Sequence, residues 1–237
     1  MKKQIDSSKI HEIEVEFEKL QKPEGSNIMK DGILCLEKYK SAKIRIMWVV
    51  KQNINYDKYD YSEQIKEQIA DIDTVGIWKR IAQASHGFLS GERDLDKIKT
   101  LDATDRQQSF LSTAIIEANK ELSDDVRSPD QSILDGYKKY EYLVKMQIEA
   151  YAPDVVIVGM TGRNEALKPI TESIHNHFTG ESEYLIGGNS TPKSADVAWS
   201  RSKGKTFLWA YHPSYTGLTD KDYFDGLMNA FDAAQDV

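Results

Sequence analysis

The sequence predicts an α/β protein in which helices cover both faces of a parallel sheet. Short, β-branched apolar runs occupy residues 44–50, 112–118, 155–159 and 206–211. Their nearly continuous apolar character is typical of strands that are buried on both faces. Segments with helical spacing separate these runs, and strands that alternate with helices form parallel sheets.

Two helices are expected before the first strand, over residues 8–20 and 27–39. Residues 22–26, which contain proline and glycine, separate them. The sequence contains no internal repeat and no linker long enough to divide the chain. We therefore predict a single domain over residues 1–237, with residues 1–40 as an appended helical layer.

Capping patterns predict where later helices begin. Ser128-Pro129-Asp130-Gln131 combines a capping serine with a proline at the first helical position, and it predicts a long helix that ends before Pro153. Thr104-Asp105-Arg106-Gln107 predicts a helix that leads into the second strand. An apolar stripe that includes Tyr223 and Phe231 predicts a closing helix.

Composition excludes several classes of protein. The chain has 237 residues, a formal charge of −7, 40% apolar residues and 29% charged residues. This balance is typical of a globular protein and excludes collagen-like and broadly disordered chains. The net negative charge argues against binding of nucleic acid by bulk charge, because phosphate contacts require clustered Lys and Arg.

The cytoplasm is the expected compartment. The N-terminus turns polar at once and no apolar run approaches the roughly 20 residues that a membrane span requires, so neither a secretory signal nor a membrane segment is expected. Cys35 is the only cysteine, which excludes an intrachain disulfide and a cysteine-based zinc site.

Three patterns that suggest ligand sites do not meet the requirements of those sites. Gly204-Lys205-Thr206 lacks the first glycine of a phosphate-binding loop, because Trp199 stands in that position. Gly159-Met160-Thr161-Gly162 lacks the remaining glycine spacing of a dinucleotide fingerprint. His175 and His177 fall on different faces of a helix, so we expect surface residues rather than metal ligands.

Polar side chains follow three of the four predicted strands. Lys51-Gln52-Asn53 follows the first strand, Asn119 and Lys120 end the second, and His212-Pro213-Ser214 follows the fourth. Because ligands of open α/β sheets bind outside the carboxyl ends of the strands, we predict a site at this edge. The alternative is that the histidine, proline and amides only complete turns.

These strand ends resemble the uracil-DNA glycosylase superfamily. The resemblance rests on Lys51-Gln52-Asn53 after a strand, a strand ending in Asn119, the segment over residues 153–159, and His212-Pro213-Ser214 after a strand. It covers residues 43 to about 218. It implies a single α/β/α domain with a four-stranded parallel sheet, which we expect in the order 2-1-3-4.

The resemblance implies hydrolysis of the N-glycosylic bond of uracil or a related damaged base in DNA, without a metal or organic cofactor. Asn53 matches the water-positioning residue, and His212 matches the residue that stabilises the anionic leaving base. Asn119 matches the amide that reads the edge of an extruded base, and Gln52 is assigned to substrate binding.

The implied partner is DNA, single- or double-stranded. Ser214 is expected to hold a phosphate, and Phe88 is the candidate stacking platform for the base. Four basic side chains are the candidate phosphate contacts if they share the edge with His212. They are Lys120, Arg201, Lys203 and Lys205.

The chain also departs from the family pattern. Lys51 and Ile54 stand where the first family motif has glycine and proline. An amide at Asn53 can orient water but cannot accept its proton as a carboxylate does. No leucine directly follows the stretch that ends at Tyr215, where insertion into a duplex would place one.

Two other functions remain open. The fold can serve as a non-catalytic module that binds a nucleobase, a nucleotide or a protein. It can also be an interaction protein whose N-terminal helices form the contact surface, which predicts an exposed apolar patch on those helices. Leu20, Ile33 and Leu36 facing the core of the same chain would argue against this last function.

Overall fold

The computed structural model describes residues 5–23, 26–51, 60, 69–74, 76–123, 129–160, 165–181 and 197–237, and these contain eight α-helices and six strands. The strands are β1 (Gly32–Ile33), β2 (Ile46–Val50), β3 (Thr113–Glu117), β4 (Val155–Gly159), β5 (Ala198–Ser202) and β6 (Lys205–Ala210). The helices are α1 (Ser7–Gln21), α2 (Leu36–Ser41), α3 (Gly76–Ser90), α4 (Leu95–Thr100), α5 (Ala103–Leu111), α6 (Asp130–Tyr151), α7 (Lys168–Thr179) and α8 (Asp220–Gln235).

The strands form one mixed sheet in the order β1-β3-β2-β4-β6-β5. Its four central strands are parallel, whereas β1 and β5 pair antiparallel at the two edges. The α/β class is confirmed, but the sheet is mixed and has six strands, where a central sheet of four parallel strands was expected. β1 has only two residues, and β5 ends in Ser200, Arg201 and Ser202 with buried and half-buried residues alternating along it, so neither resembles a buried parallel strand.

Alternate side chains of the sheet enter two separate cores. In β2, Trp48 and Val50 join the core that contains apolar residues of α3, α4, α5 and α8. Met47 and Val49 join the core that contains apolar residues of α1, α6 and α7. The helices therefore cover both faces of the sheet, as the continuous apolar runs predicted.

The sequence-based helix boundaries needed three corrections. The prediction of a second N-terminal helix over residues 27–39 is wrong. Gly32 has φ of 147° and begins β1, so the helix in this region is the shorter Leu36–Ser41. The cap of α5 is Asp102, whose carboxylate accepts from the backbone N–H of Thr104 at 2.8 Å. Helix α6 begins at Asp130, and Ser128 lies outside the described residues.

The N-terminal helix packs onto the rest of the chain. Ile13 and Phe17 of α1 are buried in the core beside α6, and Leu20 and Ile33 pack against the same core. These contacts argue against an exposed apolar patch on this part of the chain. In the described ranges, no helix has the length and apolar composition of a membrane span.

Candidate functional site

The connections of the sheet diverge between β2 and β4. The helices that follow β2 lie on one face of the sheet, whereas α7, which follows β4, lies on the other. Where the connections of adjacent parallel strands diverge in this way, ligands of open α/β sheets bind outside the carboxyl ends of the strands.

Lys51, Asn119 and His212 lie at this edge. Pairing between β2 and β3 continues beyond the strands, because the backbone N–H of Asn119 donates to the carbonyl of Lys51 at 3.0 Å. The charge of Lys51 acts on His212, which follows β6 by two residues. The structure therefore brings together residues that follow three different strands.

A tight turn fixes the orientation of His212. The backbone N–H of Tyr215 donates to the carbonyl of His212 at 2.8 Å, with Pro213 at the second turn position. The backbone N–H of Ser214 donates to Nδ1 of His212 at 3.2 Å, and the Ser214 hydroxyl lies 2.7 Å from the same nitrogen. Because a backbone N–H can only donate, Nδ1 must accept, and the proton of the neutral ring is on Nε2.

The surroundings of His212 keep the imidazole neutral. Partial burial and the positive charge of Lys51 together lower the pKa of His212 to about 4, and burial is the larger cause. At neutral pH the residue is therefore an uncharged hydrogen-bond donor through Nε2. Nε2 has no hydrogen-bond partner among the described residues, so its N–H is available to a ligand.

This pKa predicts a specific pH dependence. Below pH 6.5 an ordinary histidine takes up a proton, whereas His212 is expected to stay neutral until the pH approaches 4. The unfolded chain then binds more protons than the folded chain, so this residue destabilises the fold progressively as the pH falls from 6.5 to about 4. An NMR titration of the His212 ring, assigned with the His212→Gln variant, measures the midpoint. A midpoint near 6.5 would contradict the neutral-donor assignment.

Lys51 pairs with a residue that sequence reasoning did not assign to the site. Its Nζ lies 3.3 Å from Oδ1 of Asp130, the first residue of α6. A carboxylate at a helix N-terminus is stabilised by the helix dipole, which makes Asp130 a well-placed partner. The ion pair holds the Lys51 ammonium next to the N-terminus of α6.

Asn119 is buried at the end of β3, and its amide is partly engaged. Its Oδ1 accepts from the backbone N–H of Glu121 at 3.1 Å. The side chain fits because residue 136 of α6 is glycine: a Cβ there would collide with the Asn119 amide. Within the described part of the chain no hydrogen bond uses the NH₂ group, so its donors are the groups left to read a ligand.

Arg80 of α3 holds the turn that carries His212. Its guanidinium donates to the carbonyls of Tyr215 at 2.6 Å, Leu218 at 2.7 Å and Pro213 at 3.2 Å. Its Nε also donates to Asp220 at 2.8 Å. More than 130 residues separate Arg80 from these partners, so no local sequence pattern identifies it.

Two of the predicted site residues belong to the interior instead. Lys120 was assigned to a DNA phosphate, but its side chain is 0% exposed and its ammonium lies 2.7 Å from Asp31, so that assignment is wrong. Phe88 was the candidate stacking platform, but it is 2% exposed and packs edge-to-face on Phe231 with ring centroids 5.0 Å apart. A side chain enclosed in this way cannot stack on a base.

The structure places the other basic candidates away from His212. Lys205 begins β6 and His212 lies beyond its other end, about 20 Å away at about 3.3 Å per residue. Lys203 is in the turn between β5 and β6, next to Lys205. Arg201 donates to the carbonyl of Ala234 at 3.0 Å. The expected phosphate track through Arg201, Lys203 and Lys205 is therefore not at the site edge.

Three residues of the first family motif cannot be placed. Gln52, Asn53 and Ile54 lie outside the described residues, so their roles stay predictions. Ser214 does lie at the site, where its hydroxyl contacts His212.

The histidines of α7 do not form a metal site. His175 was expected at the surface, but it is buried, with Nε2 2.8 Å from the Ser200 hydroxyl. His177 has its Nε2 3.4 Å from Glu149. Over the described ranges, no group of three or more His, Cys, Asp or Glu side chains is arranged to hold a metal ion.

Comparisons with known proteins give no family assignment. No protein-family model matches the chain, and no curated protein matches it significantly.

Proposed function

We propose that this chain hydrolyses the N-glycosylic bond of uracil or a related damaged base in DNA. The resemblance to uracil-DNA glycosylases suggests the reaction. The observation that carries the proposal is the state of His212: a neutral imidazole, fixed by Ser214 and donating through Nε2, at the carboxyl edge of the sheet. Such a group suits a reaction in which negative charge develops on a leaving base.

In the proposed reaction, the bond between the base nitrogen and the sugar C1′ breaks, and its electron pair goes to the base. The charge spreads to a carbonyl oxygen of the base, where the Nε2–H of His212 donates a hydrogen bond. A water oxygen forms the new bond to C1′, and the proton that it releases ends on the base through solvent. Because imidazole stays neutral, the hydrogen bond strengthens as charge develops and no proton has to leave the enzyme first.

Lys51 adds positive potential at the same edge. Its charge lowers the pKa of His212 and thereby keeps the ring neutral, and the same charge attracts an anionic leaving base. In this proposal Asn53 orients the attacking water but does not take its proton, since an amide has no basic site.

The first experiment tests base release by the full chain. Oligonucleotides with one uracil, hypoxanthine or alkylated base, single- or double-stranded, are incubated with the purified protein, and free base is measured by mass spectrometry. Release from the uracil strand, absence of release from a matched thymine strand, and loss of release in Asn53→Ala are the expected results. Absence of release across the panel would refute the hydrolase.

The alternative is a non-catalytic module that binds a nucleobase or nucleotide at the same edge. Its support is that the candidate stacking platform Phe88 and the candidate phosphate contact Lys120 are both buried. Asp130 also pairs with the Lys51 ammonium, whose charge a catalytic site would direct at the substrate. Saturable binding without base release, measured by calorimetry on the same oligonucleotides, would favour the module.

A further inference from the structure

One exposed aromatic side chain stands beside His212. Tyr215 is 40% exposed and follows the histidine by three residues. Across the described ranges, the other large apolar side chains that are at least as exposed are Tyr142 and Val237. Tyr142 donates its hydroxyl hydrogen to Glu16 at 2.9 Å, and Val237 is the last residue. An aromatic ring that stays exposed next to a polar site provides a surface for a planar ligand.

The ring of Tyr215 is held before any ligand arrives. It stacks on Tyr211 with ring centroids 4.7 Å apart and planes 15° from parallel. The backbone of Gly217 lies against the same ring, so closely that a Cβ at this position would collide with it. Arg80 fixes the carbonyl of Tyr215 at 2.6 Å.

Tyr211 is held as well. The hydroxyl of Tyr223, a buried residue of α8, donates to the carbonyl of Tyr211 at 3.2 Å. The backbones of both tyrosines of the stack are therefore hydrogen-bonded to side chains of α3 and α8. A stack that is already ordered loses little conformational entropy when a ligand adds to it.

The charges around this stack do not favour a duplex. Lys51 is paired with Asp130, and Lys79 and Arg80 are both paired with Asp220. Duplex binding depends mainly on cations that neutralise many phosphates. These three cations share two carboxylates, so together they offer a net charge of only about +1. Stacking on an aromatic ring needs no such cations, but it requires a base whose face is not covered by its neighbours.

We propose that the Tyr211–Tyr215 stack is a platform for a base of single-stranded DNA next to the base held at His212. The inference rests on the proposed function for its ligand, DNA, and it adds that the favoured substrate is unpaired. It concerns binding of the strand and not the bond-breaking step. Its failure and the failure of the hydrolase can therefore be observed separately.

The test is binding of a fluorescein-labelled, uracil-free oligonucleotide, single-stranded or annealed, measured by anisotropy at low and moderate salt. Tyr215→Ala is expected to weaken single-strand binding by about 5- to 100-fold, since stacking contributes on this scale per base. Tyr215→Phe should bind like the native chain, because it keeps the ring. Tyr142→Ala, which removes a tyrosine of similar exposure on α6, is the matched control and should change nothing.

The Tyr215→Leu variant tests whether a misfolded turn, and not the missing ring, causes the loss of binding. Leucine can still pack on Tyr211 but offers no ring to a base. It should lose binding as Tyr215→Ala does, with the thermal unfolding midpoint of the native chain. Equal affinities of Tyr215→Ala and Tyr142→Ala would overturn the platform, as would tighter binding of the duplex or no binding of either strand. Base release with an unchanged Tyr215→Ala affinity refutes the platform alone. Weakened single-strand binding without base release supports the platform and refutes the hydrolase.

Discussion

His212→Ala is expected to lower kcat for base release by about 10²- to 10³-fold, the usual effect of removing one oriented donor from a site where charge develops. The reason is geometric: the donor is Nε2–H, and Ser214 holds the other ring nitrogen. KM should change much less, since the base is neutral in the bound substrate and its carbonyl oxygen carries little charge for the donor to bind. Single-turnover rates on a uracil strand measure the loss.

Two variants separate loss of the donor from loss of the fold. His212→Asn keeps an N–H donor and should recover part of the rate, whereas Ser214→Ala frees the imidazole and should cause a smaller loss than His212→Ala. His11→Ala removes an exposed histidine of α1 and should leave the rate unchanged. Equal rates for His212→Ala and the native chain would show that another group stabilises the leaving base.

Lys120→Met is expected to cost about 3–5 kcal/mol of unfolding free energy, because it leaves Asp31 as an unpaired buried charge. The Lys120 ammonium lies 2.7 and 3.0 Å from the two carboxylate oxygens of Asp31, and both side chains are 0% exposed. Gln147 of α6 completes the group, accepting from Lys120 at 2.9 Å and donating to Asp31 at 2.7 Å. Urea unfolding at neutral pH measures the cost.

A double variant and a surface control make this prediction specific. Asp31→Leu with Lys120→Met removes both charges and should be more stable than Lys120→Met alone, because an apolar pair is not penalised for burial. Lys9→Met breaks the exposed pair of Lys9 with Glu149, 3.2 Å apart, and should cost less than about 1 kcal/mol. If Lys120→Met costs no more than Lys9→Met, the buried pair does not support the end of β3.

The buried pair has a consequence for the site. Lys120 directly follows Asn119, and its ion pair ties the end of β3 to Asp31, which precedes β1, and to α6. The backbone N–H of Met29 also donates to the carbonyl of Lys120 at 2.8 Å. A lysine that sequence reasoning assigned to DNA thus holds the strand end from which Asn119 projects.

The central strands and the long helices were predictable because each has a strong local signal. The apolar runs of β2 and β4 can be stable only where both faces are covered. Helix α6 ends at Tyr151. Ala152 takes the left-handed conformation with φ of 46°, and Pro153 follows it. Local signals of this kind depend on a few neighbouring residues, so they can be recognised without knowledge of the fold.

The edge strands were not predictable in the same way. β1 has two residues, too few for any periodicity, and its existence depends on pairing with Ile115 and Ala114 of β3. β5 contains Ser200 and Ser202, whose burial is compensated by partners distant in sequence: His175 for Ser200 and Glu181 for Ser202. The sequence of a strand does not indicate which distant residue will bind its polar side chains.

The sequence by itself determined the alternation of buried strands and helices, and it placed His212, Ser214 and Asn119 at strand ends, since a β-branched run and the turn after it are local properties. Only the tertiary structure decided which cations are available. Lys120 and Arg201 are both basic residues in the sequence, but the Lys120 side chain is buried in an ion pair with Asp31. Arg201 donates a hydrogen bond to the carbonyl of Ala234 in α8. The physical reason is that the availability of a charged side chain to a ligand depends on its surroundings, and the groups that neutralise it come from distant parts of the chain.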